Sequence, residues 1–169
     1  MTDWEFVNNL KGAINRDGAA LERIYSAYFK KLFATALFVL KNRDDAYDAA
    51  TDVILKLCEY GGDPAAIKNH KAFLAAMARN RALDILRKKS RSVELIEETA
   101  QTSATFSDCL WLDDICAVLT EEERDIFVRR VLWDRTLKSI AAECGLPYIR
   151  VKRLYASVKE KVKKLYGRD

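Results

Sequence analysis

The chain has 169 residues and a formal net charge of +4, half of its residues are hydrophobic, and only six are glycine and two proline. This length allows one or two small domains with sizeable apolar cores, and the scarcity of helix-breaking residues predicts an all-α protein. No apolar run approaches the ~20 residues that cross a membrane. Since the N-terminus is also polar and acidic, unlike a secretion signal, we expect a cytoplasmic protein without membrane insertion.

The positive charge is concentrated in two blocks. Residues 61–92 and residues 137–169 each carry a net +6, whereas residues 93–108 carry −4 and contain neither lysine nor arginine. Two concentrated basic blocks are typical of a protein that contacts nucleic acid at two places. In a cytoplasmic protein the four cysteines are expected to be reduced thiols. They do not follow a zinc-binding spacing, so we expect no metal or other cofactor.

Two helices are predicted at the start of the chain. Residues 4–16 have apolar residues at helical spacing, and residues 21–39 continue the same period after a turn at residues 15–18. The first helix is expected to be amphipathic, with Trp4, Val7, Leu10 and Ile14 on one side.

A third helix is predicted from about residue 45 to residue 57, with Asp44 or Asp45 as its cap. Its small and branched apolar residues should pack inside the domain. Its exposed side is expected to carry three carboxylates, those of Asp45, Asp48 and Asp52. The residues alone favour solubility as the role of this acidic side.

One more helix is predicted from Lys71 to about Arg91, after a break at residues 61–64. Its first half is rich in apolar and small residues and should be packed inside. Its end is cationic, which suits the negative end of the helix dipole and would also hold phosphates. Residues 93–108 are acidic, rich in Ser and Thr and without a strong period, which predicts a flexible or extended linker.

The last fifty residues predict a helix-turn-helix. A capping box over residues 120–123 should begin one helix, and Thr136 should cap a short second helix. The spacing of Ala141, Gly145 and Val151 supplies a small residue, a tight turn and an apolar residue that packs the third helix on the second. Pro147 suits the start of that third helix.

The third helix of this unit has two different faces. One is expected to be buried through Val151, Tyr155, Val158, Val162 and Leu165. The other, with Arg150 at its flank, could enter a major groove and carries Ile149, Lys152, Arg153 and Ala156. The alternative is a solvated charged face on an ordinary helical hairpin.

Taken together, these segments resemble a bacterial sigma factor of the small extracytoplasmic-function (ECF) type. Residues 24–60 resemble the start of the promoter-melting domain, the stretch KAFLAAMARNRALDILRKKSR resembles the minus-ten-reading helix, and residues 119–165 resemble the minus-thirty-five-reading domain. The resemblance implies two small helical domains, residues 1–92 and 109–169, joined by the acidic linker at 93–108. It implies no enzymatic activity.

The resemblance also implies roles for particular residues. In that family the third helix docks on RNA polymerase, which makes Asp45, Asp48 and Asp52 candidate polymerase contacts. Asn80 would hold a base flipped from the melted strand, because its amide both donates and accepts hydrogen bonds. The candidate contacts with the melted element are Phe73, Arg79, Asn80, Arg81, Arg87, Lys88 and Lys89. Phe73 stands where the family usually has Trp.

The expected partners are therefore core RNA polymerase and promoter DNA, with an anti-sigma factor as a further candidate. Two other functions stay open. A stand-alone helix-turn-helix regulator would use only the C-terminal unit, and it would not need the Ala-Arg-Asn helix. A sigma-like decoy that binds an anti-sigma factor could lose its DNA-facing cations, whereas this chain keeps Lys152 and Arg153.

Overall fold

The computed structural model of the chain describes residues 1–91 and 110–167. All regular structure within these ranges is helical, which confirms the all-α class. The chain divides between residues 102 and 103 into two compact units. The predicted linker at residues 93–108 and Cys109 lie outside the described residues.

The described part of the first unit, residues 1–91, contains four helices and a short 3₁₀ turn. They are α1 (Asp3–Ile14), α2 (Gly18–Leu40), α3 (Arg43–Cys58), the 3₁₀ turn (Pro64–Ala66) and α4 (His70–Arg91). Local side chains cap these helices, as the Asn42 side chain does when it accepts the backbone N–H of Asp45 at 3.0 Å. The prediction of Asp44 or Asp45 as the cap of α3 was therefore wrong.

Helix α2 lies at the centre of the first unit and packs against α1, α3 and α4. Its second half is buried on almost every side, from Leu32 to Phe38. Helix α1 buries Phe6, Leu10 and Ala13, whereas the side chain of Trp4 is 74% exposed. The sequence assigned Trp4 to the apolar side of α1, but the buried side of this helix includes Phe6, which the sequence prediction omitted.

His70 is buried at the start of α4, one residue before the predicted start of this helix. Its backbone N–H donates to the Asp3 carboxylate at 2.9 Å, and its ring Nδ1 contacts the same oxygen. Because a carboxylate only accepts, Nδ1 is the donor in this contact, and Nε2 forms a hydrogen bond with the Tyr28 hydroxyl at 2.5 Å. This chain of contacts joins the first turn of α1 to α2 and to the beginning of α4.

The second unit contains α5 (Leu110–Val118), α6 (Glu121–Phe127), a π-helical turn (Val128–Leu132), α7 (Leu137–Cys144) and α8 (Tyr148–Tyr166). Its helix-turn-helix core consists of Ile126, Ile140, Ala141 and Val151. Trp133 is fully buried next to the π-helical turn. The sequence analysis assigned no role to Trp133, so this large core residue was missed.

Candidate nucleic-acid interface

The helix-turn-helix is formed by α7, a tight turn and α8. Thr136 caps α7 by accepting the backbone N–H of Ser139 at 3.1 Å. Gly145 ends α7 with a φ of 64°, a left-handed conformation that glycine adopts without steric cost. Pro147 directly precedes the first residue of α8. The predicted turn chemistry is thus confirmed, and it sets the direction in which α8 leaves the core.

Helix α8 presents the predicted stripe to solvent. Val151 and Val158 are buried on one side. On the opposite side lie four exposed residues, Ile149, Lys152, Arg153 and Ala156. The predicted buried face is correct for the first half of the helix but fails at its end, where Leu165 is 37% exposed. An exposed stripe that combines two cations with two apolar side chains is suited to a DNA groove.

Arg150 differs from the other predicted contacts of α8 because it pairs within the unit. Its guanidinium donates to the Glu122 carboxylate of α6 at 2.7 Å, and the two side chains are 53% and 56% exposed. Arg150 therefore lies across the α6–α8 boundary, beside the stripe. The sequence identified Glu122 only as part of a capping box.

Glu123 fastens α6 to the middle of α8. Its carboxylate completes the capping box with Thr120 and accepts from the Ser157 hydroxyl and the Lys161 ammonium, both at 2.6 Å. Burial opposes ionisation, but the hydrogen bonds from Lys161, Ser157 and Thr120 outweigh it and lower the pKa of Glu123 to about 2. This carboxylate is ionised at neutral pH and holds α8 in position.

A second polar cluster holds α7 in place and consists of Asp125, Arg129, Arg135 and Glu143. Glu143 accepts from Arg129 at 3.0 Å and from Arg135, and Asp125 also pairs with Arg129 at 3.0 Å. Burial would raise the pKa of Glu143, but the hydrogen bonds from Arg135 and Ser139 lower it. The cluster links α6 and the segment after the π-helical turn to α7. Helical spacing alone brings Asp125 to Arg129, but it could not predict the contacts of Glu143 with Arg129 and Arg135, which lie 14 and 8 residues away.

Helix α4 carries its own exposed stripe in the first unit. Phe73, Asn80 and Arg87 are spaced by seven residues, two helical turns, and so share one face. Asn80 and Arg87 are exposed, and Arg87 pairs loosely with Asp84 at 3.5 Å. Phe73 is half-buried, with its ring against that of Tyr60 at 5.6 Å. Two more predicted contacts, Arg79 and Lys88, are also exposed.

The remaining two predicted DNA contacts of α4 pair instead with α3. Arg81 donates from Nε to Asp52 at 2.6 Å, and a second guanidinium nitrogen also contacts that carboxylate. Lys89 pairs with Asp45 at 2.6 Å. We call these two ion pairs the α3–α4 clasp. The expectation that Asp45 and Asp52 lie on an open acidic side was wrong, because both face α4.

The open side of α3 is different from the predicted one. Asp48 is exposed as expected, and Leu55, two turns further along the same face, is 56% exposed. This surface therefore combines a carboxylate with an apolar side chain. This surface is available to a partner, whereas the two carboxylates of the clasp are already paired with α4.

The described cysteines are Cys58, Cys116 and Cys144, and all three are half-buried thiols. Burial raises the pKa of the Cys58 and Cys144 thiols. Over residues 1–91 and 110–167, no cluster of three His, Cys, Asp or Glu side chains is arranged to hold a metal ion. None of the helices in the same ranges is both long and apolar enough to span a bilayer.

Comparison with known families finds a similarity within the second unit. Residues 117–164 match the family model of sigma-70, region 4. The match starts at the end of α5 and includes the capping box, the helix-turn-helix and most of α8. It supports a sigma-factor-like protein with a promoter-recognising, DNA-binding domain rather than a catalytic one. A search of curated proteins found no match to the chain.

Proposed function

We propose that the chain is a sigma factor of the small ECF type, which binds core RNA polymerase and directs it to promoters. One coincidence carries the proposal: the residues that match sigma-70 region 4 also present an exposed cationic stripe on the second helix of a helix-turn-helix. The resemblance of residues 20–92 to a promoter-melting domain extends the proposal to the first unit. Such a protein acts in the cytoplasm, with polymerase.

Upstream recognition would rest on α8. Lys152 and Arg153 are exposed, and neither forms a hydrogen bond or an ion pair with another described residue. Their charge is therefore available to phosphates or to guanine edges in the major groove. Arg150 takes a different role in this proposal, because its pairing with Glu122 makes it a link between α6 and α8.

Capture of the melted strand would rest on the exposed stripe of α4. The Asn80 amide offers both a donor and acceptors to the edge of an unpaired base. The Phe73 ring, supported by Tyr60, gives an apolar surface two turns away. Arg79, Arg87 and Lys88 supply charge for the phosphates at the flanks of this stripe. Arg81 and Lys89 contribute less directly, since the clasp holds them against α3.

Polymerase binding would use the open side of α3. Asp48 is the carboxylate best placed for a basic partner surface, and Leu55 adds an apolar contact beside it. Interfaces commonly combine an apolar anchor with a few polar contacts in this manner. Asp45 and Asp52 would support this surface through the clasp rather than contact polymerase themselves.

The test is co-purification of the full chain with bacterial core RNA polymerase, followed by run-off transcription from a random promoter library. A complex whose transcripts start downstream of a shared pair of sequence elements supports the proposal. Salt-sensitive duplex binding without a polymerase complex would indicate a stand-alone regulator. Capture of an anti-sigma factor by a chain that starts no transcripts would indicate a decoy.

A further inference from the structure

Ile149 occupies an unusual position for a large aliphatic side chain. It lies in the first turn of α8 and is 64% exposed, at the N-terminal end of the stripe that contains Lys152 and Arg153. The opposite side of the same helix buries Val151, so packing in the core does not require an isoleucine at residue 149. The side chain is therefore available for contact with a partner outside the unit.

The charges around Ile149 indicate the chemistry of the partner that this side chain would contact. The first turn of α8 contains no acidic residue, and the nearby Glu122 carboxylate pairs with Arg150. Lys152 and Arg153 follow Ile149 on the same face, and Ala156 continues it two turns along. An apolar side chain with cations beside it is complementary to a partner that carries an apolar group next to negative charges. In the major groove of DNA, that group is the 5-methyl of thymine.

We infer that Ile149 is a specificity-determining residue that contacts a thymine methyl group in the upstream promoter element. The N-terminal residues of a recognition helix are those that reach base edges, and Ile149 is the second residue of α8. The small Ala156 side chain lets the helix lie close to the groove floor. Lys152 and Arg153 then hold phosphates or a guanine beside this thymine. This inference rests on the proposed function.

The experiment removes first the methyl group from the DNA and then the side chain from the protein. The full chain, bound to core polymerase, first selects an upstream element from random duplexes. Each thymine of that element is then replaced by deoxyuridine, which pairs in the same way but lacks the 5-methyl group. At one position we expect binding to weaken about fourfold, as the loss of one buried methyl group predicts.

Three variants assign the effect to a side chain. Ile149→Ala should weaken binding to the thymine duplex by at least a similar factor and should be indifferent to deoxyuridine at that position. Lys152→Ala should bind all duplexes more weakly but keep its sensitivity to deoxyuridine. Tyr148→Ala, which removes the neighbouring exposed side chain, should also keep it. Circular dichroism and polymerase binding should be unchanged in the Ile149 variant, since the side chain is exposed.

The outcomes separate this inference from the proposed function. If a duplex element is selected but no thymine methyl affects binding, or if Ile149→Ala retains the effect, Ile149 does not read thymine and only the inference is overturned. Loss of sensitivity in Tyr148→Ala alone would transfer the role to Tyr148. If no duplex is selected at all, the proposed promoter recognition by α8 fails and the inference fails with it.

Discussion

Glu123 is a buried carboxylate that links α6 to the middle of α8. It is 4% exposed, and its carboxylate joins the start of α6 to Ser157 and Lys161. Glu123→Gln should lower the free energy of unfolding of the second unit by about 2 kcal/mol, after allowance for the partial exposure of Lys161. Urea denaturation of the full chain measures this. Glu121→Gln, an exposed neighbour in the same turn, should change stability little.

The same carboxylate predicts a dependence of stability on pH. Its pKa is about 2 in the folded chain, against 4.5 for an ordinary glutamate. Its contribution is therefore complete above about pH 4.5 and declines as the pH falls towards 2, where the folded carboxylate also becomes protonated. Wild type and Glu123→Gln should converge in stability over this range. A constant difference between them down to pH 2 would contradict the assignment.

His70 is the corresponding residue of the first unit. Its ring lies between the Asp3 carboxylate and the Tyr28 hydroxyl and stacks on Phe6 at 5.1 Å. His70→Ala leaves a cavity and removes the hydrogen bonds of the ring to Tyr28 and Asp3, so it should destabilise the first unit by about 3 kcal/mol. Thermal unfolding measures the loss. Lys68→Ala, an exposed change just before α4, should have almost no effect.

These residues show which contacts a sequence can predict. The capping box of Thr120 and Glu123 spans three residues, and helical geometry alone brings its groups together. The other partners of Glu123 lie 34 and 38 residues away, and Asp3 lies 67 residues from His70. Such partners become known only when the packing of whole helices is known, because no local period relates them.

At the scale of helices, hydrophobic period predicted the main elements well but assigned their faces less reliably. The buried and exposed sides of α8 were correct near the turn, where a narrow apolar stripe alternates with cations. On α3 the three aspartates were assigned to one acidic side, yet two of them point towards α4. Carboxylates at the boundary between two faces can turn to a neighbouring helix, and their direction depends on the cations that helix presents.

The clasp offers a prediction about how α3 and α4 are held together. Asp52→Arg alone would place its guanidinium group against that of Arg81. Arg81→Asp alone would place its carboxylate against that of Asp52. In both cases two like charges would repel each other. Each should destabilise the first unit by about 2 kcal/mol, whereas the double exchange should recover most of the loss. Urea denaturation of the four proteins measures this coupling. Asp48→Arg, on the open side of α3, should change stability by under about 0.5 kcal/mol.

Strand capture is a separate property of α4. Asn80 is exposed, so Asn80→Ala should leave stability almost unchanged. With polymerase and a selected promoter, it should reduce permanganate reactivity of melted thymines more than it reduces binding to duplex DNA, because only the unpaired base meets the amide. Ala76→Ser, a small polar change one turn earlier on the same exposed face, is the matched control. Equal loss of melting and duplex binding would argue against a strand-capture role.

For the whole molecule, several cations of the two basic blocks identified from the sequence are paired within the protein. Fewer of them are therefore available to DNA than the net charges of the blocks suggest. Arg81, Lys89, Arg150 and Lys161 are all paired with carboxylates of their own unit. The count of charges therefore located the two candidate interfaces, but it did not show which cations face outward. That distinction depends on the acids that neighbouring helices bring to each basic side chain.

The two units should consequently contribute separable functions to one protein. Lys152→Ala with Arg153→Ala should weaken upstream promoter binding. The double variant should also reduce the slope of log affinity against log salt by about 0.9 for each phosphate that it no longer neutralises. Affinity for core polymerase should not change. A variant that lacks two exposed cations of the first unit, Lys11→Ala with Lys68→Ala, is the control for net charge.

Asp48→Ala should show the opposite behaviour, with weaker binding to core polymerase and unchanged upstream recognition once saturating polymerase restores the complex. Glu22→Ala, which removes an exposed carboxylate from α2 in the same unit, should leave both unchanged. Fluorescence titration against core polymerase and filter binding to the selected promoter measure the two affinities independently. If the α8 variant also failed to bind polymerase, or Asp48→Ala bound polymerase as well as wild type, this division of roles would be wrong.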